Sequence, residues 1–145
     1  MNLQPLALAE LEQLYVEREP AALPAGCFRG RHLCWISPGA RHPLWRPLTT
    51  VSFVWTPFGV DLDARRWWFW SPRLALGHFD PRPGPSRWRR TRTVGLHYDL
   101  SRLPLRGLLY DELKPLSPDL CLGIGGINAE TGRGDLFFFA LERMG

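Results

Sequence analysis

The carboxy-terminal third of the chain constrains the fold most, because two apolar runs separated by a glycine-rich turn show no helical periodicity. The first run extends from Leu120 to Ile124 and the second from Leu136 to Leu141. Side chains on a strand point alternately to the two faces of a sheet, so both faces of these strands are apolar. Such a sheet must be covered on both sides or closed around an apolar interior, and 145 residues provide little cover. The sequence therefore predicts a small barrel that holds something apolar.

Length and composition predict a single domain over residues 1–145. With 145 residues and 45% hydrophobic content, the chain is long enough for one core and too short for two full domains. Within that domain we expect an amino-terminal helix over 1–19 and a barrel over 24–145. The helix is predicted because Leu3, Leu11, Leu14 and Tyr15 recur at helical spacing and Pro20 follows them.

Charge and cysteine content exclude several classes of protein. The net charge is +4, and 17 of the 18 basic residues are arginines, a bias that indicates a GC-rich bacterial genome rather than nucleic-acid binding. The three cysteines have no Cys-x-x-Cys spacing, so neither a disulfide framework nor a zinc site is predicted. The sequence contains neither the ~20-residue apolar stretch of a membrane span nor the basic start of a signal peptide. A cytoplasmic protein that binds neither membranes nor nucleic acid is the expectation.

Periodicity predicts about seven strands with turns between them. Leu48 to Trp55 is ambiguous between a short buried helix and a strand, and Pro81 to Ser86, with three prolines, is predicted to be a surface loop. Ser37 to Pro47 is predicted to be another loop. The strands before the terminal runs are predicted at Gly26 to Ile36, Arg65 to Trp70, Leu74 to Phe79 and Thr91 to Asp99.

Short motifs carry a family resemblance. Gly26-Cys27-Phe28-Arg29-Gly30 resembles a Gly-x-Trp-x-Gly signature with Phe28 in place of the tryptophan, and Tyr110 to Lys114, Leu122-Gly123 and Phe137 to Arg143 follow in the matching order. The chain thus resembles the GXWXG/lipocalin-like family of mostly uncharacterised bacterial and fungal proteins. That resemblance implies a mainly β, small antiparallel lipocalin-like (calycin-type) barrel with an amino-terminal α-helix, and no established chemistry. The family's middle lysine is absent from Trp55 to Gly59, so no role of it can be carried over.

Aromatic and titratable residues on the predicted strands are the candidates for a ligand site. In the run Trp67-Trp68-Phe69-Trp70, Trp68 and Trp70 share one face and would offer flat surfaces to an aromatic ligand. His78 follows Leu74 and Leu76 on an alternating face and is predicted to point inward. The candidate wall residues are Trp35, Trp68, Trp70, His78, Tyr98, Tyr110 and Asp111.

The leading hypothesis is non-covalent binding of a small apolar or aromatic molecule; no metal site is predicted, and the sequence does not identify a cofactor. Asp111 lies between Leu109 and Leu113 on its face, and an ion pair with an arginine is expected for such a carboxylate. The candidate partners are Arg29, Arg31, Arg92 and Arg106.

Two other functions remain open. Asp111 and a histidine could make the protein an enzyme acting on the bound molecule, although no hydrolase or phosphate-binding signature is present. Alternatively, exposed tryptophans such as Trp67 or Trp68 could mediate self-association, for example as a homodimer.

Overall fold

A computed structural model of the chain describes residues 1–36, 45–99, 106–129 and 135–145. Helix α1 covers Leu8–Glu17, and α2, Trp45–Thr50, continues into a π-helical segment at Val51–Trp55; a 3-10 turn covers Arg106–Leu108. Nine strands are described: β1 Cys27–Trp35, β2 Phe58–Asp61, β3 Arg66–Phe69, β4 Ala75–His78, β5 Asp80–Pro85, β6 Arg92–His97, β7 Tyr110–Ser117, β8 Leu120–Gly125 and β9 Phe137–Arg143. The loop predicted at Ser37 to Pro47 lies outside the described residues except where its last three residues begin α2.

The nine strands form one antiparallel sheet that nearly closes into a barrel. Their order is β4-β3-β2-β1-β9-β8-β7-β6-β5, so β4 and β5 are the two edges. Only Phe79 separates β4 from β5 in the chain, and its amide donates to the carbonyl oxygen of Arg65 (2.9 Å). One continuous stretch of chain therefore completes both edges of the sheet. The predicted mainly β, antiparallel barrel with an amino-terminal helix is confirmed.

Aromatic side chains fill most of the barrel interior. Phe58, Trp67, Phe137 and Phe139 belong to a buried cluster that draws on β1 to β3 and β6 to β9. Trp67 and Phe139 meet edge to face (centroids 5.8 Å apart), as do Phe58 and Phe139 (6.4 Å), an arrangement that aromatic quadrupoles favour. The predicted hollow is therefore reduced to a small cavity between these rings and the strand β7.

Helix α1 covers the outer face of β7 to β9. Its fully buried Leu11 and Tyr15 belong to a second apolar cluster, which includes Leu122, Ile124 and Phe138 from the sheet. Burial of each of these five side chains stabilises the fold by roughly 1.5–3 kcal/mol. Both apolar faces of the terminal strands are thus removed from water, one by the barrel interior and one by α1.

A buried polar cluster fixes α1 on the sheet. Glu112 points outward from β7, and its carboxylate accepts hydrogen bonds from the hydroxyls of Tyr15 (2.9 Å), Ser86 (2.6 Å) and Tyr110 (2.9 Å). The backbone amide of Arg87 supplies a fourth bond (2.7 Å). With four donors, this fully buried carboxylate has the partners that burial of a charge requires.

The structure corrects the prediction for Pro81 to Ser86 and decides the ambiguous one for Leu48 to Trp55. The predicted surface loop at Pro81 to Ser86 is wrong, because Pro81, Pro83 and Pro85 lie in β5. Prolines two residues apart all point their backbone nitrogen to the same side of the strand. On an edge strand that side can be the one without a neighbouring strand, where no N–H donor is needed. Leu48 to Trp55, which was ambiguous, is helical throughout, and its Phe53 packs against the interior.

The close packing of Phe58 over Gly30, the second glycine of the Gly-x-Trp-x-Gly-like motif, leads to a stability prediction. A Cβ there would lie 2.1 Å from Cε2 of Phe58, whose ring is held by Phe53 (centroids 5.1 Å). Gly30→Ala is therefore expected to lower the free energy of unfolding by about 1–3 kcal/mol, as overpacking does. Urea denaturation followed by tryptophan fluorescence measures it. The control Gly84→Ala, with nothing within 4 Å of its Cβ, should change stability by less than about 0.5 kcal/mol; equal losses would contradict the prediction.

Candidate functional site

A cavity of about 130 Å³ lies at one side of the barrel interior, between the π-helical segment, β3, β4 and β7. Three aromatic side chains form one part of its wall, where Phe53 packs against Trp67 (centroids 6.2 Å) and against Phe69 (5.8 Å). Leu76 also lines it and is 53% exposed, so the cavity reaches the surface at β4. The lining residues are Ser52, Phe53, Trp67, Phe69, Leu76, Gly77, Tyr98, Leu109, Asp111 and Ile127.

A larger groove of about 740 Å³ lies on the outside, where the start of the chain meets the ends of β8 and β9. Its lining mixes charged and apolar side chains, and two of the charged ones pair with each other: Arg143 Nε lies 2.7 Å from Asp119 Oδ1. The exposed Glu142 on its wall pairs with Arg31 (3.0 Å). The inner cavity has mainly aromatic and aliphatic walls with few polar groups, which is typical of a small-molecule site, so the smaller inner cavity is the better candidate.

A directed chain of hydrogen bonds ends on the carboxyl group of Asp111. The indole Nε1 of Trp67 donates to the hydroxyl oxygen of Tyr98 (2.5 Å), and that hydroxyl donates to Oδ2 of Asp111 (2.6 Å). The direction is fixed at its start because an indole N–H can only donate. The chain therefore presents Asp111 with a donor at Oδ2, while Oδ1 packs against Gly125, where a Cβ would lie 2.1 Å from it.

The surroundings of Asp111 favour its neutral form more than water does. Burial raises the pKa of Asp111 to about 7, against the lowering effect of its hydrogen bonds from Tyr98 and from the backbone of Gly126, and the charge of Glu112 adds to the rise. Burial also raises the pKa of Tyr98, which keeps that hydroxyl protonated. Near pH 7 the cavity therefore contains a carboxyl group that gains or loses a proton easily.

The ion pair predicted for Asp111 is wrong for the side chains that the structure describes. None of their arginines or lysines pairs with it, and its partners are Tyr98 and the amide of Gly126. Arg31, one of the predicted partners, binds Glu142 instead. The side chain of Arg106 lies outside the described part of the chain.

The tryptophan run has the predicted alternation with the opposite orientation. Trp67 and Phe69 point into the barrel and line the cavity. Trp68 lies on the outer face over Gly59, where a Cβ would be 2.2 Å from Trp68 Cζ2, and Trp70 is 66% exposed. The expectation that Trp68 and Trp70 are the inward pair is therefore corrected.

Three further candidates lie away from the cavity. Trp35 packs inside the barrel against Phe137 (centroids 5.7 Å) and under the guanidinium of Arg46 (3.6 Å). Tyr110 faces outward and binds Glu112. His78 is exposed on β4, so the prediction that it points inward is wrong. Of the seven candidates, the structure brings only Tyr98 and Asp111 together in the cavity lining.

Sequence reasoning missed Phe53, Trp67 and Phe69 as cavity walls. The alternation had already paired Trp67 with Phe69, and it had placed Leu109 on the same face as Asp111. What it lacked was a signal for which face of β3 points inward. The helical segment that carries Phe53 gave no strand-like alternation to follow.

The histidines with described positions do not reach Asp111. His97 lies on the outer face of β6 beside the ring of Tyr110 (5.3 Å). His32 stacks on Phe137 (5.0 Å), and burial together with the charge of Arg46 lowers the pKa of His32 to about 4. Across the described ranges, no three His, Cys, Asp or Glu side chains converge as metal ligands would. Within the same ranges, no helix has the length and apolar character needed to cross a bilayer.

Comparison with known proteins supports the fold alone. No protein-family model matches the chain, and no curated protein matches it. A solved structure described as the crystal structure of a protein from Thermomonospora curvata is similar to 97% of this chain and 89% of its own, with a TM-score of 0.57 and 19% identity. The resemblance to the GXWXG family therefore stays a prediction.

The raised pKa of Asp111 predicts a pH-dependent stability. Between about pH 4 and 7 the unfolded chain has lost this proton while the folded chain keeps it, so stability falls as pH rises through that window. We expect Asp111→Asn to remove this fall, up to about 1.4 kcal/mol per pH unit. Tyr98→Phe, which removes a bond that lowers the pKa, should extend the fall above pH 7. Urea unfolding at several pH values measures both; equal slopes in wild type and Asp111→Asn would refute the assignment.

Proposed function

We propose that the protein binds a small apolar or aromatic molecule non-covalently in the cavity beside Asp111. The observation that carries the proposal is the combination of a mainly aromatic and aliphatic lining with one carboxyl group that has no charged partner among the described residues. Apolar walls with a few convergent polar groups are typical of small-molecule sites. An apolar cavity of roughly 150 Å³ accommodates benzene. A cavity of about 130 Å³ therefore fits a molecule of about one ring.

The walls would hold such a molecule by ring contacts. Phe53 and Trp67 meet at 79° and Phe53 and Phe69 at 62°, so a ring in the cavity finds both faces and edges to pack against. Leu109 and Ile127 close the lining with aliphatic contacts. The exposed Leu76 stands at the opening, where a change of its side-chain rotamer would admit a ligand without movement of the barrel.

Filling the cavity with a larger side chain tests the proposal. Leu109→Trp is expected to occupy the space and to weaken binding of toluene at least tenfold, because the ligand and the new indole need the same volume. Titrations followed by amide chemical shifts in NMR spectra measure the affinity. Leu74→Trp is the control, since Leu74 is 57% exposed and outside the lining. Equal toluene affinity in the two variants would overturn the proposed site.

A specific observation favours self-association as a second candidate function. Trp55 is 73% and Trp70 66% exposed, and both are at the same end of β2 and β3, where the amide of Trp70 donates to the carbonyl oxygen of Pro57 (2.7 Å). Trp70 also has a φ of 71°, an unfavourable backbone conformation for a bulky residue. The tryptophans first considered for this role, Trp67 and Trp68, are buried. A second copy of the chain that covers Trp55 and Trp70 would remove their apolar surface from water.

Substitution of Trp70 tests whether its exposed side chain mediates self-association or only strains the backbone. Asparagine tolerates positive φ, so Trp70→Asn is expected to stabilise the monomer by about 1 kcal/mol while it removes apolar contact area. If the chain self-associates through this surface, sedimentation velocity will show a shift towards monomer. Leu8→Ser, an apolar to polar change on α1, is the control and should leave the sedimentation profile unchanged. A wild-type protein that is monomeric at every concentration would contradict this candidate.

A further inference from the structure

We propose that the ligand of the inner cavity is a small organic cation, a protonated amine on a group of about one ring, whose ammonium N–H binds the carboxylate of Asp111. This inference rests on the proposed function and names its ligand class. It depends on what the cavity offers a ligand: acceptor oxygens and aromatic faces, with the nearby donors already used.

The hydrogen-bond inventory at Asp111 favours a donor ligand. The Trp67 N–H is used on Tyr98, and the Tyr98 hydroxyl is used on Asp111. The backbone N–H of Gly126 also bonds to Asp111. A carboxylate has about four acceptor positions, so two donors leave acceptor capacity unused. Among the other lining side chains Ser52 carries a hydroxyl, which serves as donor or acceptor.

The walls of the cavity also favour a positive charge. Aromatic faces carry the negative part of the ring quadrupole, and a cation within about 6 Å of a ring centroid is attracted to it. Phe53, Trp67, Phe69 and Tyr98 all contribute to the lining, which they share with Asp111. A neutral apolar ligand would use the same walls and leave the carboxylate without a charged partner.

The charge balance around Asp111 points the same way. The groups that affect its ionisation are Tyr98 directly after β6, the backbone of Gly126 after β8, and Glu112 on the opposite face of β7, whose charge has the same sign. Trp67 from β3 is uncharged. An ionised carboxyl group without a basic partner is costly to bury, and a cationic ligand would supply the partner that the described residues do not. Because the pKa of Asp111 is about 7, ionisation at slightly alkaline pH readily provides the binding form.

The test compares ligands that differ in charge, using the full chain. Benzylamine is expected to bind at least about tenfold more tightly than toluene at pH 8, since a hydrogen bond between two charged groups strengthens binding. Asp111→Asn should remove that preference, so that the variant binds benzylamine no more tightly than it binds toluene. The benzylamine affinity of the wild type should rise between pH 6 and pH 8 as Asp111 ionises. NMR titration measures each affinity.

Other outcomes separate this inference from the proposed function. If toluene binds in the cavity and benzylamine binds no more tightly, the inference is overturned and the proposed function stands. If neither binds, both are overturned. Cyclohexanone, a neutral acceptor, tests the opposite role: binding tighter than that of benzylamine, weakening from pH 6 to pH 8, would show that Asp111 acts as a protonated donor and would overturn the inference. Should Asp111→Asn fail to fold, Tyr98→Phe must keep the benzylamine preference with its pH midpoint moved upward, and loss of the preference there would count against the proposal.

Discussion

Coverage of both faces of β7 to β9 is the constraint on which the rest of the structure depends. In β9 large apolar side chains lie on both sides, and the outer face of β8 carries Leu122 and Ile124, so neither side of this part of the sheet is stable in contact with water. Closure of the sheet buries one side, where Leu113 and Phe139 join the interior cluster. Helix α1 buries the other, where Leu11 contacts the surface that contains Phe138. The amino-terminal helix is therefore part of the barrel's core and not an appendage.

The polar cluster under α1 connects this constraint to the candidate site. Glu112 and Lys114 are both fully buried on the outer face of β7, and Lys114 Nζ donates to the carbonyl oxygen of Arg18 (2.6 Å) at the end of α1. A one-residue shift of β7 would move both charges into the apolar interior, which would cost several kcal/mol. The outer cluster thus fixes the register of β7, and that register places Asp111 in the cavity.

The sequence predicted the strands better than it predicted which way they face. Asp111 between Leu109 and Leu113 was assigned to the inner face, because apolar neighbours on both sides leave little choice. The prediction that Trp68 and Trp70 line the site is wrong because alternation defines the two faces of a strand and does not say which of them points inward. In β1 an irregularity between His32 and Cys34 shifts the register, so Cys34 joins the outer cluster although it alternates with Phe28. Bulges of this kind leave no reliable mark in the sequence.

Asp111 and Glu112 are adjacent acids that the fold treats in opposite ways. Glu112 receives four hydrogen bonds, as expected for a carboxylate whose role is to hold α1. Asp111 receives two, has no basic partner among the described residues, and borders the cavity. For folding alone, an apolar side chain at position 111 would avoid the cost of burying an unpaired acid. That cost is understandable if the partner of Asp111 is a molecule that enters the cavity, and this asymmetry is what makes position 111, rather than 112, the centre of the candidate site.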